Sequence, residues 1–195
     1  AMAGDEHLLA SAGRAVLGTE VRVVDPQGND CAPGEVGEII ARGDQLMTGY
    51  WNLPEATAET LRDGWLYLGD AGTFDEEGYL YVKDRIKDMV VSGGENVYPA
   101  EVEQVLYEHE AVAEAAVIGV PDDKWGEAVK ACVVLKADQE ATEAELIDVC
   151  RGRIAGFKVP KSVDFLEALP RNASFKVLKT QLREPYWEGH DRSVG

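Results

Sequence analysis

The stretch Lys83-Asp84-Arg85-Ile86-Lys87-Asp88-Met89-Val90-Val91-Ser92-Gly93-Gly94-Glu95-Asn96-Val97-Tyr98-Pro99 decides how this chain is divided. Four of its first five residues are charged, an apolar triplet follows (Met89, Val90, Val91), and Ser92-Gly93-Gly94 opens the backbone before a helix start at Pro99. Two successive glycines tolerate positive φ and leave N–H groups uncovered, so a chain or ligand can approach closely. Pro99 carries a fixed φ suited to the first helical turn, and Glu101 and Glu103 follow where a helix N-terminus favours acids. A strand, a turn and a helix start account for the local pattern. The whole stretch has the character of a joint between two pieces.

Upstream of the joint the chain reads as mostly antiparallel β-structure. Residues 20–24 and 36–41 alternate as strands, and Asp25-Pro26-Gln27-Gly28-Asn29-Asp30 between them supplies turn chemistry, which predicts a hairpin. A short helix is predicted over 54–61. A strand over 65–70 ends on an acid, and Asp75-Glu76-Glu77-Gly78 turns into a strand over 79–82. Downstream the period changes. Val102, Val105 and Leu106 fall at helical spacing over 99–107, and residues 112–120 and 128–135 are β-rich. Thr142 with Glu145 three residues later forms a capping box opening a helix over 142–154, a strand follows over 162–166 and a last short helix over 177–182. The predicted class is α+β. Residues 1–12 are expected to be an unstructured or artificial start, 13–84 a β-rich piece, 85–88 the joint, and 89–190 a compact α+β domain.

Composition excludes several classes. The chain has 195 residues, 45% of them hydrophobic, enough for a sizeable core, and no apolar run approaches the about 20 residues of a membrane span. The first fifteen residues are too acidic and too weakly apolar for a signal peptide, so a cytoplasmic protein is expected. Cys31, Cys132 and Cys150 are odd in number and far apart, which predicts buried or inert thiols with neither disulfide nor metal site. His7, His109 and His190 have no acid or nucleophile at a telling spacing. A net charge of −17 argues against a nucleic-acid partner. The charge is uneven, however: residues 151–183 hold eight bases against two acids, which suits a solvated basic face or a small polyphosphate ligand.

Six motifs then occur in order: Gly34-Glu35-Val36-Gly37-Glu38-Ile39, Thr48-Gly49-Tyr50-Trp51, Gly64-Trp65-Leu66-Tyr67-Leu68-Gly69-Asp70, Asp84-Arg85-Ile86-Lys87-Asp88, Gly93-Gly94-Glu95-Asn96-Val97-Tyr98-Pro99-Ala100-Glu101-Val102-Glu103, and Pro170-Arg171-Asn172-Ala173-Ser174-Phe175-Lys176. In order and spacing this set resembles the adenylate-forming acyl-CoA synthetases, over residues 13–190. The resemblance implies a β-rich remnant of a large N-terminal domain, a distorted barrel, followed by a small α+β C-terminal lid that turns about a hinge. It implies a ligase of the fatty-acyl-CoA type. A carboxylic acid attacks the α-phosphate of ATP to give an acyl-adenylate and pyrophosphate, and CoA then displaces AMP, with Mg2+ held mainly by protein outside this chain.

By the same resemblance Asp70 accepts hydrogen bonds from the ribose hydroxyls, and Arg85 meets the nucleotide with a fixed fork. Lys87 is the hinge, a charge that stays wet in both poses. Lys176 stabilises charge developing on the α-phosphate, although the family usually has Gly where this chain has Phe175. Gly94 and Glu95 border the path of the pantetheine arm, Trp125 packs on it, and Phe157 and Lys158, with Lys161, serve the nucleotide end of CoA. No Ser/Thr/Gly-rich phosphate loop precedes the β-rich piece, and too little chain is present to line an acyl pocket, so these residues alone are expected to be inactive. An adenylation domain of a peptide synthetase or an aryl-acid ligase is the alternative within the class. A stand-alone CoA-binding module is the alternative outside it. Self-association through an exposed apolar surface of the β-rich piece is also expected.

Overall fold

The structure, a computed structural model, describes residues 6–190, with the backbone alone for the first two of them. The chain divides into two compact units, Ala1–Ile86 and Lys87–Gly195. The class is α+β.

The first unit is built on a five-stranded antiparallel sheet. Strands β1 (Thr19–Val24) and β2 (Gly37–Gly43) form the expected hairpin, closed by the 25–30 turn, in which the Asp25 carboxylate accepts from the N–H groups of Gln27 and Asn29. Helix α2 (Pro54–Thr60) starts on a proline and ends where β3 (Leu61–Arg62) pairs with β4 (Trp65–Phe74). β4 lies against β2, and its second half also pairs with β5 (Leu80–Arg85). The strand expected to stop at Asp70 runs on to Phe74, because a bulge between Ala71 and Gly72 lets the ladder continue. Gly72 has to be a glycine at that crossing: a Cβ would stand 2.7 Å from Ile39 Cδ1 and 2.9 Å from the Tyr81 carbonyl oxygen. Val23, Val24, Ile39, Ile40 and Ala71 are buried. Within the stretch expected to be an unstructured start, residues 6–9 form one helical turn, α1 (Glu6–Leu9), and the Ala12 N–H donates to the Leu80 carbonyl at 2.7 Å; residues 1–5 lie outside the described residues.

A 3-10 turn over Ile86–Asp88 leads to the second unit. Its sheet joins β6 (Val90–Ser92), β7 (Glu95–Val97), β8 (Val112–Asp122), β9 (Gly126–Leu135) and β10 (Ser162–Phe165), all antiparallel except the parallel pair β9 and β10. Alternation along β8 and β9 splits the core. Ala115, Val117, Val129, Ala131 and Val133 pack with helices α3 (Pro99–Tyr107) and α4 (Glu143–Cys150) through Val102, Leu106, Leu146 and Cys150. Ala116, Ile118 and Cys132 point the other way, towards Leu169, Leu182 and Tyr186, the last two on helix α5 (Lys179–Trp187). A sheet covered on both faces explains why these strands read as unbroken apolar runs. Each fully buried Val or Leu here contributes about 1.5–3 kcal/mol.

Two helices differ from expectation. The capping box of α4 is present in both directions, but the helix stops at Cys150, since Arg151 is extended and Gly152 turns with φ 79. The last helix spans Lys179–Trp187 and runs through Pro185. The proline gives up one backbone bond. The residues after it are held from outside, Tyr186 by the Asp164 carboxylate and Trp187 by its indole N–H donating to the Gly119 carbonyl at 3.0 Å.

Candidate functional site

The candidate residues fall into four groups. In the first unit the β4–β5 register places Asp70 opposite Arg85. Arg85 Nε lies 2.9 Å from Asp70 Oδ1, and its Nη1 donates to the Leu68 carbonyl at 3.3 Å. Gly69, with φ 69, turns the strand just before the acid. Asp70 is half-buried, and its Oδ2 makes no hydrogen bond within the described residues, so one carboxylate oxygen is oriented by the guanidinium and the other remains able to accept.

The second group is the 3-10 turn at the unit boundary. Lys87 is exposed, while its carbonyl oxygen and the Asp88 carboxylate face Arg183 of α5, whose Nη1 lies 3.2 and 3.1 Å away.

The third group is the β6–β7 hairpin. Gly93 and Gly94 are its two turn residues, with φ 62 and 85, between the paired Ser92 and Glu95. The turn docks on the β8–β9 connection: the Gly93 N–H donates to the Trp125 carbonyl at 2.8 Å, and a Cβ on Gly93 would meet the Trp125 ring at 2.8 Å. Trp125 is thus set between a bare glycine and the Lys124 ammonium, 4.4 Å from the ring centre, with its own N–H capped by Asp122. Gly94 and Glu95 face solvent, and nothing lies within 4 Å of where a Gly94 Cβ would be. A groove of about 820 Å³, lined by Val91, Trp125, Glu127, Tyr186, Trp187 and His190, runs alongside.

The fourth group is the loop carrying Lys176. Its ends bridge at Arg171 and Val177, and the Asn172 side chain accepts from the N–H groups of Ser174 and Lys176, both at 2.9 Å. Arg171 donates to the Phe175 carbonyl at 2.7 Å and pairs with Glu114 of β8 at 2.9 Å. Phe175 takes φ 62 and is 80% exposed, so the left-handed backbone that a glycine would supply is imposed on a phenylalanine by these bonds. Lys176 points outward with no ion pair within the described residues.

The basic segment is largely neutralised. Six of its eight bases pair with acids: Arg151 with Asp148, Arg153 with Glu108, Lys158 with Glu101 at 2.6 Å, Arg171 with Glu114, Lys179 with Glu103 at 2.7 Å, and Arg183 with Asp88. Lys161 and Lys176 remain without such partners among the described residues. Phe157 is 37% exposed beside Lys158. The Lys158 ammonium is committed to α3, so a phosphate would have to compete with Glu101 for it. The same ledger answers the question left by composition: most of the positive charge ties residues 151–183 to the rest of the unit, and two lysines are left over.

The thiols are poor nucleophiles. Burial pushes both Cys132 and Cys150 up to about 11, and burial raises Cys31 as well. Among the described residues no group of three or more His, Cys, Asp or Glu could hold a metal ion, and no helix is long and apolar enough to cross a membrane.

Sequence comparison now gives these groups a context. The model of the AMP-binding enzyme C-terminal domain matches residues 101–176, and the model of the AMP-binding enzyme matches residues 1–51. The chain belongs to the AMP-binding enzymes. A feruloyl-CoA synthase of Amycolatopsis is 51% identical over 91% of this chain and 36% of its own length. A long-chain-fatty-acid–CoA ligase, FadD13 of Mycobacterium tuberculosis, is 52% identical over 90% of this chain and 35% of its own. The o-succinylbenzoate CoA synthetase of Bacillus subtilis, solved with its acyl-adenylate intermediate, superposes with a TM-score of 0.86 at 42% identity, covering 98% of this chain and 37% of that one. The chain therefore spans about a third of the length of these relatives. The roles of Arg183 and Arg171 escaped the sequence reading, which placed both in the basic segment, since an arginine in a polar helix or turn carries no signal of the partner that folding will bring to it. Asn172 left one, an Asx turn three residues ahead of the lysine loop's exposed tip.

Proposed function

We propose that this chain works within an ATP-dependent, AMP-forming carboxylate–CoA ligase, acting on a fatty or aromatic carboxylic acid. The observation that carries this reading is the isolation of Lys176: in a segment where six of eight bases are paired, this ammonium is exposed on a loop locked at both ends.

In the first half-reaction an oxygen of the carboxylate bonds to the α-phosphorus of ATP, the bond to the bridging oxygen breaks, and pyrophosphate leaves. Lys176 lowers this barrier by meeting the charge that gathers on the α-phosphoryl oxygens, an interaction of about 4 kcal/mol at about 4 Å in an effective dielectric near 20. Asp70 accepts the ribose hydroxyls through its open Oδ2 while Arg85 fixes its orientation. In the second half-reaction the CoA sulfur bonds to the acyl carbon and AMP departs. The bare Gly94 edge leaves room for the pantetheine arm, and Trp125, held by Gly93, offers it an apolar wall. Lys87 sits at the unit boundary, where a turn of the second unit would exchange Lys176 for the Gly94 edge. Mg2+ finds no ligand set among the described residues, and these side chains take no step through it.

The test uses the full-length protein carrying this chain. Lys176→Ala is expected to slow acid-dependent pyrophosphate exchange by about 10²-fold or more while sparing thioester formation from a synthetic acyl-adenylate. Undiminished exchange would refute the assignment. The groove beside Trp125 favours a second reading, a module that holds CoA without chemistry. Calorimetric CoA binding by a full-length protein that forms no acyl-adenylate would select it.

A further inference from the structure

The one buried residue of α5 is an arginine. Arg183 is 8% exposed, and its guanidinium reaches back across the unit to the Lys87 carbonyl oxygen at 3.2 Å and Asp88 Oδ1 at 3.1 Å. Burying a guanidinium is costly unless its charge is matched, and here Asp88, itself 15% exposed at the side chain, matches it. A leucine would dock a helix at lower cost. What an arginine adds is direction: both bonds leave Nη1, whose two N–H groups are fixed in the guanidinium plane and so aim at a carbonyl and a carboxylate at once.

We infer that Arg183 is a positioning residue that clamps the start of the second unit, so that Lys87 from its carbonyl onward and Asp88 move with α5 and the rotation between units is confined to the Ile86–Lys87 junction. The neighbours support this placement. The unit boundary falls between Ile86 and Lys87. α5 is fixed independently at its far end by Tyr186 on Asp164 and Trp187 on the Gly119 carbonyl, so the arginine is anchored to the sheet and not to a loose tail. Val90, two residues beyond Asp88, is fully buried in the core of the unit. The turn from Asp88 to Val90 is therefore gripped from both sides, by Arg183 at its start and by the sheet at its end. A single pivot gives the unit defined stopping positions. A second pivot at Asp88 or Met89 would let it wander among poses that present neither Lys176 nor the Gly94 edge correctly.

The kinetic consequence rests on the ligase reading above; the clamp itself does not. In the full-length protein, Arg183→Ala is expected to speed hydrogen exchange at the amides of residues 87–89 by about tenfold or more, while amides of β8 and β9 keep their protection. Turnover to thioester should fall by about tenfold with the KM values for acid and ATP unchanged, because the two half-reaction poses become less populated while the binding surfaces stay intact. Arg183→Lys, which keeps the charge but not the fixed planar N–H directions, should recover only part of both effects, and Asp88→Asn should reproduce the exchange effect in weaker form. Unchanged exchange at 87–89, or an increase spread evenly over the whole second unit, would overturn the proposal, the latter marking Arg183 as a general stabiliser. A wild-type protein that releases no pyrophosphate with any acid would instead defeat the ligase reading and leave the exchange result to decide the clamp.

Discussion

In the second unit most apolar residues of β8 and β9 meet either the α3–α4 side or the α5 side, and the set includes Ile118, Val117, Val129 and Val133 at 2% exposure or less. In the first unit the buried residues gather on β1, β2 and β4, whereas Leu17, Trp51 and Val82 stand largely in solvent. The contrast teaches where stability resides. A sheet covered on both faces holds itself, while a unit whose turns leave Leu17 and Trp51 wet and whose edge strand leaves Val82 half-exposed has burial still to gain from other protein surface.

The strongest way to break this comparison is to separate the units. Residues 87–195 alone are expected to melt in one cooperative transition by circular dichroism, and residues 1–86 alone to show a broad transition or none. The opposite pair of outcomes would reverse the argument. Point substitutions sharpen it. Leu146→Ala, which empties a fully buried site, should cost about 2–5 kcal/mol by urea unfolding, against less than about 0.5 kcal/mol for Leu17→Ala on the open surface. Equal losses would mean that the first unit is as tightly packed as the second.

The smallest effect concerns the polar cluster under α5. Burial works against ionisation of Asp164, but hydrogen bonds from Lys130 and Tyr186 outweigh it and hold the carboxyl below its ordinary value of 3.8. A folded value below the unfolded one means that the stabilisation is complete above the unfolded value and drains away as pH falls through the folded one. The gap in urea midpoint between wild type and Asp164→Asn should therefore be widest near neutrality and narrow below about pH 4. A gap that stays constant with pH would assign the effect to packing.

Much of this architecture was legible because it is local. The hairpin of β1 and β2, the proline start of α3 and the Thr142–Glu145 box each depend on residues a few positions apart. The last helix was not legible in full, since Pro185 reads as a stop and only the distant partners of Tyr186 and Trp187 carry the helix past it. The candidate site divides in the same way. Asp70, Arg85 and Lys176 are named by motif, but the alignment of Asp70 with Arg85 depends on the β4–β5 register. The conformation at Phe175 comes from Arg171 and Asn172, against the preference of the residue itself.

From the amino-acid order alone came the two-part division, the α+β class and the family, because periodicity, glycine placement and ordered motifs are properties of neighbours along the chain. Only the tertiary structure decided which charges are spent. Net charge is a sum that ignores position, whereas an ion pair needs two groups within about 4 Å. Folding brings Glu101 and Glu103 of α3, Glu108 just past its end and Glu114 of β8 against residues 151–183, leaves six of the eight bases in ion pairs, buries Arg183 beside Asp88, and leaves Lys176 exposed on its loop.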